Sequence, residues 1–166
     1  VNPILMKHAK YNVLIPNQEW YYKTWEKYIN MFDLILVKTQ YAKTIFSQMK
    51  EDNEVIYIGW KSIDKKMLKK TPKKTKTFLH ICGRSKYKQT QAVIDNWKPE
   101  YPNLTIVYSA KDVKITEKKQ DNINYINERL SDEDLGILMN QHGYHICCSE
   151  TEGYGHYINE AKSCES

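Results

Sequence analysis

The chain has 166 residues, 41% hydrophobic and 27% charged, which suits one domain of ordinary size or parts of two. Thirteen Tyr and four Trp exclude a disordered polymer, and no apolar run is long enough to cross a bilayer. The net charge of +5 is local: eight Lys and one acid lie between Lys61 and Lys76, and the remainder is close to neutral.

In chain order, Asn12–Ile15 reads as a strand ended by Pro16. Residues Glu19–Phe32 follow with Tyr21, Trp25, Tyr28 and Phe32 at helical spacing. Leu34–Val37 is a second, continuously apolar strand, Tyr41–Met49 a helix and Val55–Ile58 a third strand ended by Gly59. Beyond the lysine-rich connector with Pro72, Phe78–Cys82 is a strand ended by Gly83. Lys88–Trp97 is a helix, Leu104–Tyr108 a strand and Asn124–Ile126 a short strand. Ser131–Asn140 is a helix whose Ser131 and Asp134 are spaced like a capping box, with Asp in place of the usual Glu. Tyr144–Cys148 is a strand, and a last helix starts near Gly155. Strands alternating with helices, each strand apolar along its whole length, specify an α/β fold with a mainly parallel sheet covered on both faces.

Cys82, Cys147, Cys148 and Cys164 sit in or beside apolar runs without CxxC spacing, so they read as reduced thiols of a cytoplasmic protein. The five His are scattered and no Asp-x-Asp pair is present, so neither a metal site nor a cofactor is expected. The lysine run has no Arg and no interleaved aromatics, so a solvated linker is favoured over a nucleic-acid surface, and no nucleic-acid partner is expected. A peripheral membrane contact stays open. His80 and His145 lie within apolar strands and read as satisfied core residues. The start at Val1 without Met, and the end at Ser166 within or just past a helix, suggest a sheet cut at both ends.

Ligands of parallel sheets sit at the carboxyl ends of strands, so the residues just after each strand carry the functional reading. Gly83-Arg84-Ser85-Lys86-Tyr87-Lys88 follows one strand. Gly83 permits a tight turn, and Arg84 with Lys88 suits a diphosphate, although a solvated loop explains the same residues. Ser149-Glu150-Thr151-Glu152-Gly153-Tyr154-Gly155-His156 follows another strand, with Glu160 two turns into the helix beyond. Backbone N–H groups at Gly153 and Gly155 can hold phosphate or sugar oxygens, and a carboxylate grips a diol by accepting from two hydroxyls. Alternatively, Glu152 is a charge at a helix N-terminus, Glu160 a surface glutamate and His156 a packing or capping residue. Asn17-Gln18-Glu19-Trp20 also follows a strand end, and either faces a cleft or caps the next helix.

Glu152-Gly153-Tyr154-Gly155 followed by Glu160-Ala161 resembles the E-x7-E signature of retaining GT-B glycosyltransferases, the GT4-like or glycosyl transferases group 1 set. Gly83-Arg84 with Lys88 resembles that family's Gly-Arg…Lys segment. Asn124–Leu135 resembles its strand–turn–helix stretch, with Asn127 in place of a glycine, and Val55–Gly59 with Asp64 resembles the crossing between its two domains. Gln89 and Glu165 stand where the family usually has glycine.

The resemblance implies a Rossmann-like GT-B sheet with flanking helices. Residues 1–60 would be the tail of the acceptor-side domain, 61–76 a linker, and 77–166 part of the nucleotide-sugar-binding domain. It implies sugar transfer from a nucleotide-diphosphate donor to a carbohydrate, lipid or protein acceptor, with retention and without a required metal. Arg84 and Lys88 would stabilise the leaving nucleotide, and Glu152 would hold the transferred sugar. Glu160 would bind the ribose and Leu130 the base, while Gly83, Gly153, Tyr154, Gly155 and His156 would complete the donor site. A nucleotide-sugar epimerase, a glycoside phosphorylase or a nucleic-acid-binding module using the lysine run are the alternatives.

Overall fold

The computed structural model describes residues 1–50, 54–66 and 75–166, so part of the expected lysine-rich linker, with Pro72, lies outside the described residues. Two compact units divide the chain: one comprises Val1–Lys61 and Thr151–Gly155, the other Ser62–Glu150 and His156–Ser166.

The first unit opens with the short helix α1 (Pro3–Met6), which has no counterpart in the sequence reading. Its strands β1 (Val13–Leu14), β2 (Leu34–Val37) and β3 (Val55–Tyr57) form a parallel sheet in that order. Ile35 and Val37 of β2 are fully buried and pack with Phe32, Ala42, Phe46 and Val55. Helix α2 (Gln40–Ser47) starts where Thr39 accepts a hydrogen bond from Ala42 N at 3.0 Å. The expected helix over Glu19–Phe32 takes a tighter form, two 3₁₀ segments at Gln18–Trp20 and Lys23–Met31. Aromatic and β-branched side chains lose rotamer freedom in an α-helix. Here the aromatics instead pack edge to face, Tyr21 against Trp25 at 5.8 Å and against Phe46 at 5.1 Å.

The second unit holds β4 (Thr75–Gly83), β5 (Leu104–Tyr108), β6 (Ile123–Asn127) and β7 (His142–His145), all parallel, in the order β6-β5-β4-β7. Every residue of strand β5 is buried, which accounts for its largely apolar sequence, and its one aliphatic hydroxyl, Thr105 Oγ1, lies 3.0 Å from His142 Nε2. Helix α3 (Thr90–Asn96) buries Ile94. Helix α4 (Asp132–Gln141) is capped as expected, with Ser131 Oγ accepting from Asp134 N at 3.1 Å and donating to Asp134 Oδ2 at 2.6 Å. Helix α5 (His156–Ser163) buries Ala161.

Strand β7 lies two to three residues earlier than its expected span Tyr144–Cys148. Its pairing starts at Thr75↔His142, which draws Gly143 against the Thr75 carbonyl so closely that a Cβ would stand 2.6 Å from that oxygen. Past His145 the ladder ends within a residue: Ile146 N donates to Leu79 O at 2.8 Å, and the Ile146 carbonyl accepts from the His80 ring at 3.0 Å. His80 is fully buried, and its other ring nitrogen lies 2.9 Å from Thr90 Oγ1. Because a carbonyl only accepts, Nδ1 carries the proton and Nε2 accepts from the Thr90 hydroxyl. Burial lowers the His80 pKa below its ordinary value. His80 is thus a satisfied core residue, and half-buried His145 has Nε2 3.0 Å from Met139 O.

Candidate functional site

The carboxyl ends of β4, β5 and β6 surround a cavity of about 560 Å³ in the second unit. Its lining includes Gly83 and Arg84 from the end of β4, Tyr108 from the end of β5 with Ser109, Lys111 and Asp112 after it, and Glu128, Arg129 and Leu130 after β6. Gly83 has φ 59°, a left-handed backbone that favours glycine and turns the chain at the strand end. The two farther loops are joined where Ala110 N donates to Asn127 Oδ1 at 2.9 Å, so Asn127 has a structural use at its glycine-like position.

Arg84 is largely exposed, and its Nε lies 3.5 Å from Asp112 Oδ2. Lys111 and Arg129 add two cations to the lining, offset by Asp112, Glu128 and Asp132. The Tyr108 hydroxyl donates to Glu117 Oε1 at 2.5 Å, and this carboxylate, with burial, pushes the phenol up to about 12. A second cavity of about 520 Å³ opens at the amino ends of the strands, beside Thr75, Asn103, Asn122 and His142. Among the described residues its lining holds no Lys or Arg, whereas open α/β sheets bind ligands at their carboxyl ends, where Arg84, Lys111 and Arg129 lie.

The cavity therefore takes in Gly83, Arg84 and Leu130 of the expected residues. Lys88 is outside its lining: its ammonium lies 2.9 Å from the centre of the Tyr157 ring on α5. Tyr157 and half-buried Glu160 are three apart on that helix and so share a face, which brings the Lys88 ammonium to the side of α5 that carries Glu160. His156, at the start of α5, has Nδ1 2.9 Å from Ser62 Oγ. Cys148 is half-buried beside Lys88, its thiol donating to Lys88 O at 3.4 Å, and burial pushes that thiol up.

Glu152, Gly153, Tyr154 and Gly155 belong to the first unit. The Gln18 amide donates to Glu152 O at 3.1 Å and to Gly153 O at 3.2 Å. Gly153 packs so closely on this corner that a Cβ would meet Glu19 Oε1 at 2.7 Å and Asn17 Oδ1 at 3.0 Å. Gly155 has φ 81°, and the Tyr154 hydroxyl donates to Trp60 O at 2.6 Å. Gly155 is favoured by its left-handed backbone, whereas the atoms nearest Gly153 are side-chain ends that can shift.

Sequence reasoning missed Ser109, Lys111, Asp112, Glu128 and Arg129. The rule that found Gly83 and Arg84, reading the residues just past each strand, picks them out when applied to β5 and β6. Gln89 and Glu165 are the described non-glycine residues with positive φ, at 55° and 59°. Glu165 occupies the turn that closes α5, where Ser166 N donates to Ala161 O and Glu165 N to Lys162 O, a Schellman arrangement that usually carries glycine.

No protein-family model matches the sequence, and no curated protein matches it. Among solved structures the fold is similar to that of the pneumococcal O-GlcNAc transferase GtfA, solved in complex with UDP and GlcNAc. The TM-score is 0.59 at 17% identity over 87% of this chain, which spans 31% of the length of that transferase. At this identity the likeness establishes the fold: Rossmann-like, of GT-B type, with parallel sheets and flanking helices.

Proposed function

We propose that the protein acts in nucleotide-sugar-dependent glycosyl transfer, with the diphosphate end of the donor bound at the carboxyl ends of β4, β5 and β6. The observation that carries this reading is the cavity that collects Gly83, Arg84 and Leu130. Breaking the bond from the anomeric carbon to a diphosphate builds negative charge on the leaving group while the sugar becomes oxocarbenium-like. A guanidinium at that charge stabilises it as it develops. Arg84 is suited to this, because its present partner Asp112 is one exposed carboxylate that a diphosphate can replace with two charged oxygens. Nothing in this step needs a metal ion.

In the same reading Lys88 is a second cation for the phosphates, Leu130 faces the base and Glu160 accepts from the ribose hydroxyls. Glu152, Gly153, Tyr154, Gly155 and His156 keep their assignment to the donor on the sequence pattern alone, and retention of configuration comes with that pattern. The GtfA complex with UDP makes a uridine donor the first to test.

Calorimetric titration with UDP, UMP and uridine is the test. UDP is expected to bind tighter than UMP and UMP tighter than uridine. Arg84→Ala should weaken UDP by about 10- to 100-fold, the worth of a charge-assisted contact, while leaving uridine unchanged. Equal UDP binding by wild type and Arg84→Ala, or no preference for the diphosphate, would refute the reading.

A further inference from the structure

Tyr157 of α5 lies outside the lining of the cavity beside β4, yet its contacts converge on a charged group. The Lys88 ammonium stands 2.9 Å from the centre of its ring. The Tyr157 hydroxyl donates to Ser149 Oγ at 2.9 Å and accepts from Ser149 N at 3.0 Å. Both functions of the phenol are thus used on the segment that follows β7. The half-buried ring cannot swing away from Lys88 without giving up both bonds.

The backbone that carries Lys88 is fixed to the same segment. Lys88 N donates to Ser85 O at 3.3 Å, and Lys88 O accepts from the Cys148 thiol at 3.4 Å. On one side of Lys88, Tyr87 O accepts from Glu150 N at 2.9 Å; on the other, the Gln89 amide donates to the Glu150 carboxylate. The root of the Lys88 side chain therefore has a set place relative to Tyr157.

A lysine loses more rotamer freedom on being fixed than most residues, and the ring face offsets that cost by attracting the ammonium. A ring differs from a carboxylate in one respect that bears on function: it holds a cation without cancelling its charge, which stays available to an anion. Tyr157 and Glu160 share a face of α5. The charge is thus held on the side to which the nucleotide-sugar reading assigns the ribose. In a nucleoside diphosphate the ribose and the nearer phosphate are joined through a methylene and an oxygen, so a cation for that phosphate has to stand on the ribose side.

We propose that Tyr157 is a positioning residue, its ring holding the Lys88 ammonium on the Glu160 side of α5 so that the diphosphate of a nucleotide donor meets a cation already in place. This deepens the glycosyl-transfer reading and rests on it for the role of Lys88. The contacts that fix Tyr157 against Lys88 are independent of that reading.

The test is a double-mutant cycle followed by calorimetric titration with UDP and with uridine. Tyr157→Leu should weaken UDP by about 3- to 10-fold, the worth of a cation–π contact at a half-buried site, and leave uridine unchanged. Tyr157→Phe loses the Ser149 bonds as Tyr157→Leu does but keeps the ring face, so it should stay within about twofold of wild type. Lys88→Ala should itself weaken UDP, and adding Tyr157→Leu to it should cost nothing more, because the effect of the ring runs through the ammonium. Proton NMR supplies the companion signature. The Lys88 ε-methylene protons should stand upfield of those of other lysines in wild type and Tyr157→Phe, displaced by the ring current, and return to the ordinary position in Tyr157→Leu.

UDP binding by Tyr157→Leu as tight as that of wild type, an equal loss in Tyr157→Phe, or a loss that persists in full in the Lys88→Ala background overturns the positioning role and leaves the nucleotide-sugar reading standing. UDP binding that Lys88→Ala does not weaken, or no UDP binding at all, overturns the place of Lys88 in that reading and the proposal with it.

Discussion

Gly143→Ala on β7 tests the packing of the second unit directly. The added methyl would stand 2.6 Å from the Thr75 carbonyl oxygen and 3.7 Å from its carbon, and the obstacle is backbone, which cannot swing aside as a side chain can. Thr75 is paired with His142 next door, so relief requires β4 and β7 to separate at the start of their ladder. Overpacking of this kind costs about 1–3 kcal/mol. Restriction of the unfolded chain by Ala returns about 0.4–1 kcal/mol, which leaves a net loss of about 1–2 kcal/mol.

Gly136→Ala is the internal comparison. It lies inside α4, nothing stands within 4 Å of the position a Cβ would take, and Ala is favoured over Gly in a helix by about 0.8–1.0 kcal/mol. The two substitutions add the same methyl and should differ by about 2–3 kcal/mol in opposite directions. Urea unfolding followed by far-ultraviolet circular dichroism measures both. A Gly143→Ala midpoint equal to or above that of wild type would refute the close approach of β7 to β4.

Two further outcomes follow from the backbone and from His80. Gln89→Gly and Glu165→Gly should each stabilise by roughly 0.5 kcal/mol, because the left-handed backbone costs a side chain about 1–2 kcal/mol and outweighs an exposed polar contact to Glu150 or Lys66. A drop in urea midpoint for either would show that the contact matters more than the backbone. His80 has a lowered folded pKa, so below pH 6.5 the unfolded chain binds the proton more readily than the folded one. Its contribution is complete above that value and is lost as pH falls toward the folded pKa. The thermal midpoint of wild type should fall more steeply between pH 7 and pH 5 than that of His80→Gln, and equal slopes would contradict this.

The largely apolar run of Leu104–Tyr108 determined a strand buried on both faces, and Ser131 determined a helix start, because these depend on residues within one or two turns. Gly83 and Arg84 were legible as a strand-end pair for the same reason. The glycines that the family would place at 89 and 165 were visible as departures, but their cost appears only in the φ values. Tertiary structure alone decided that β7 pairs with β4 and starts at His142, since close approach at Gly143 is set by Thr75, far away in sequence. It also decided that loops after β4, β5 and β6 enclose one cavity, and that Gln18 and Glu19 meet Gly153 across more than a hundred residues. Local physics sets caps, turns and which face is apolar; distances between segments remote in sequence arise only when the chain closes its sheets.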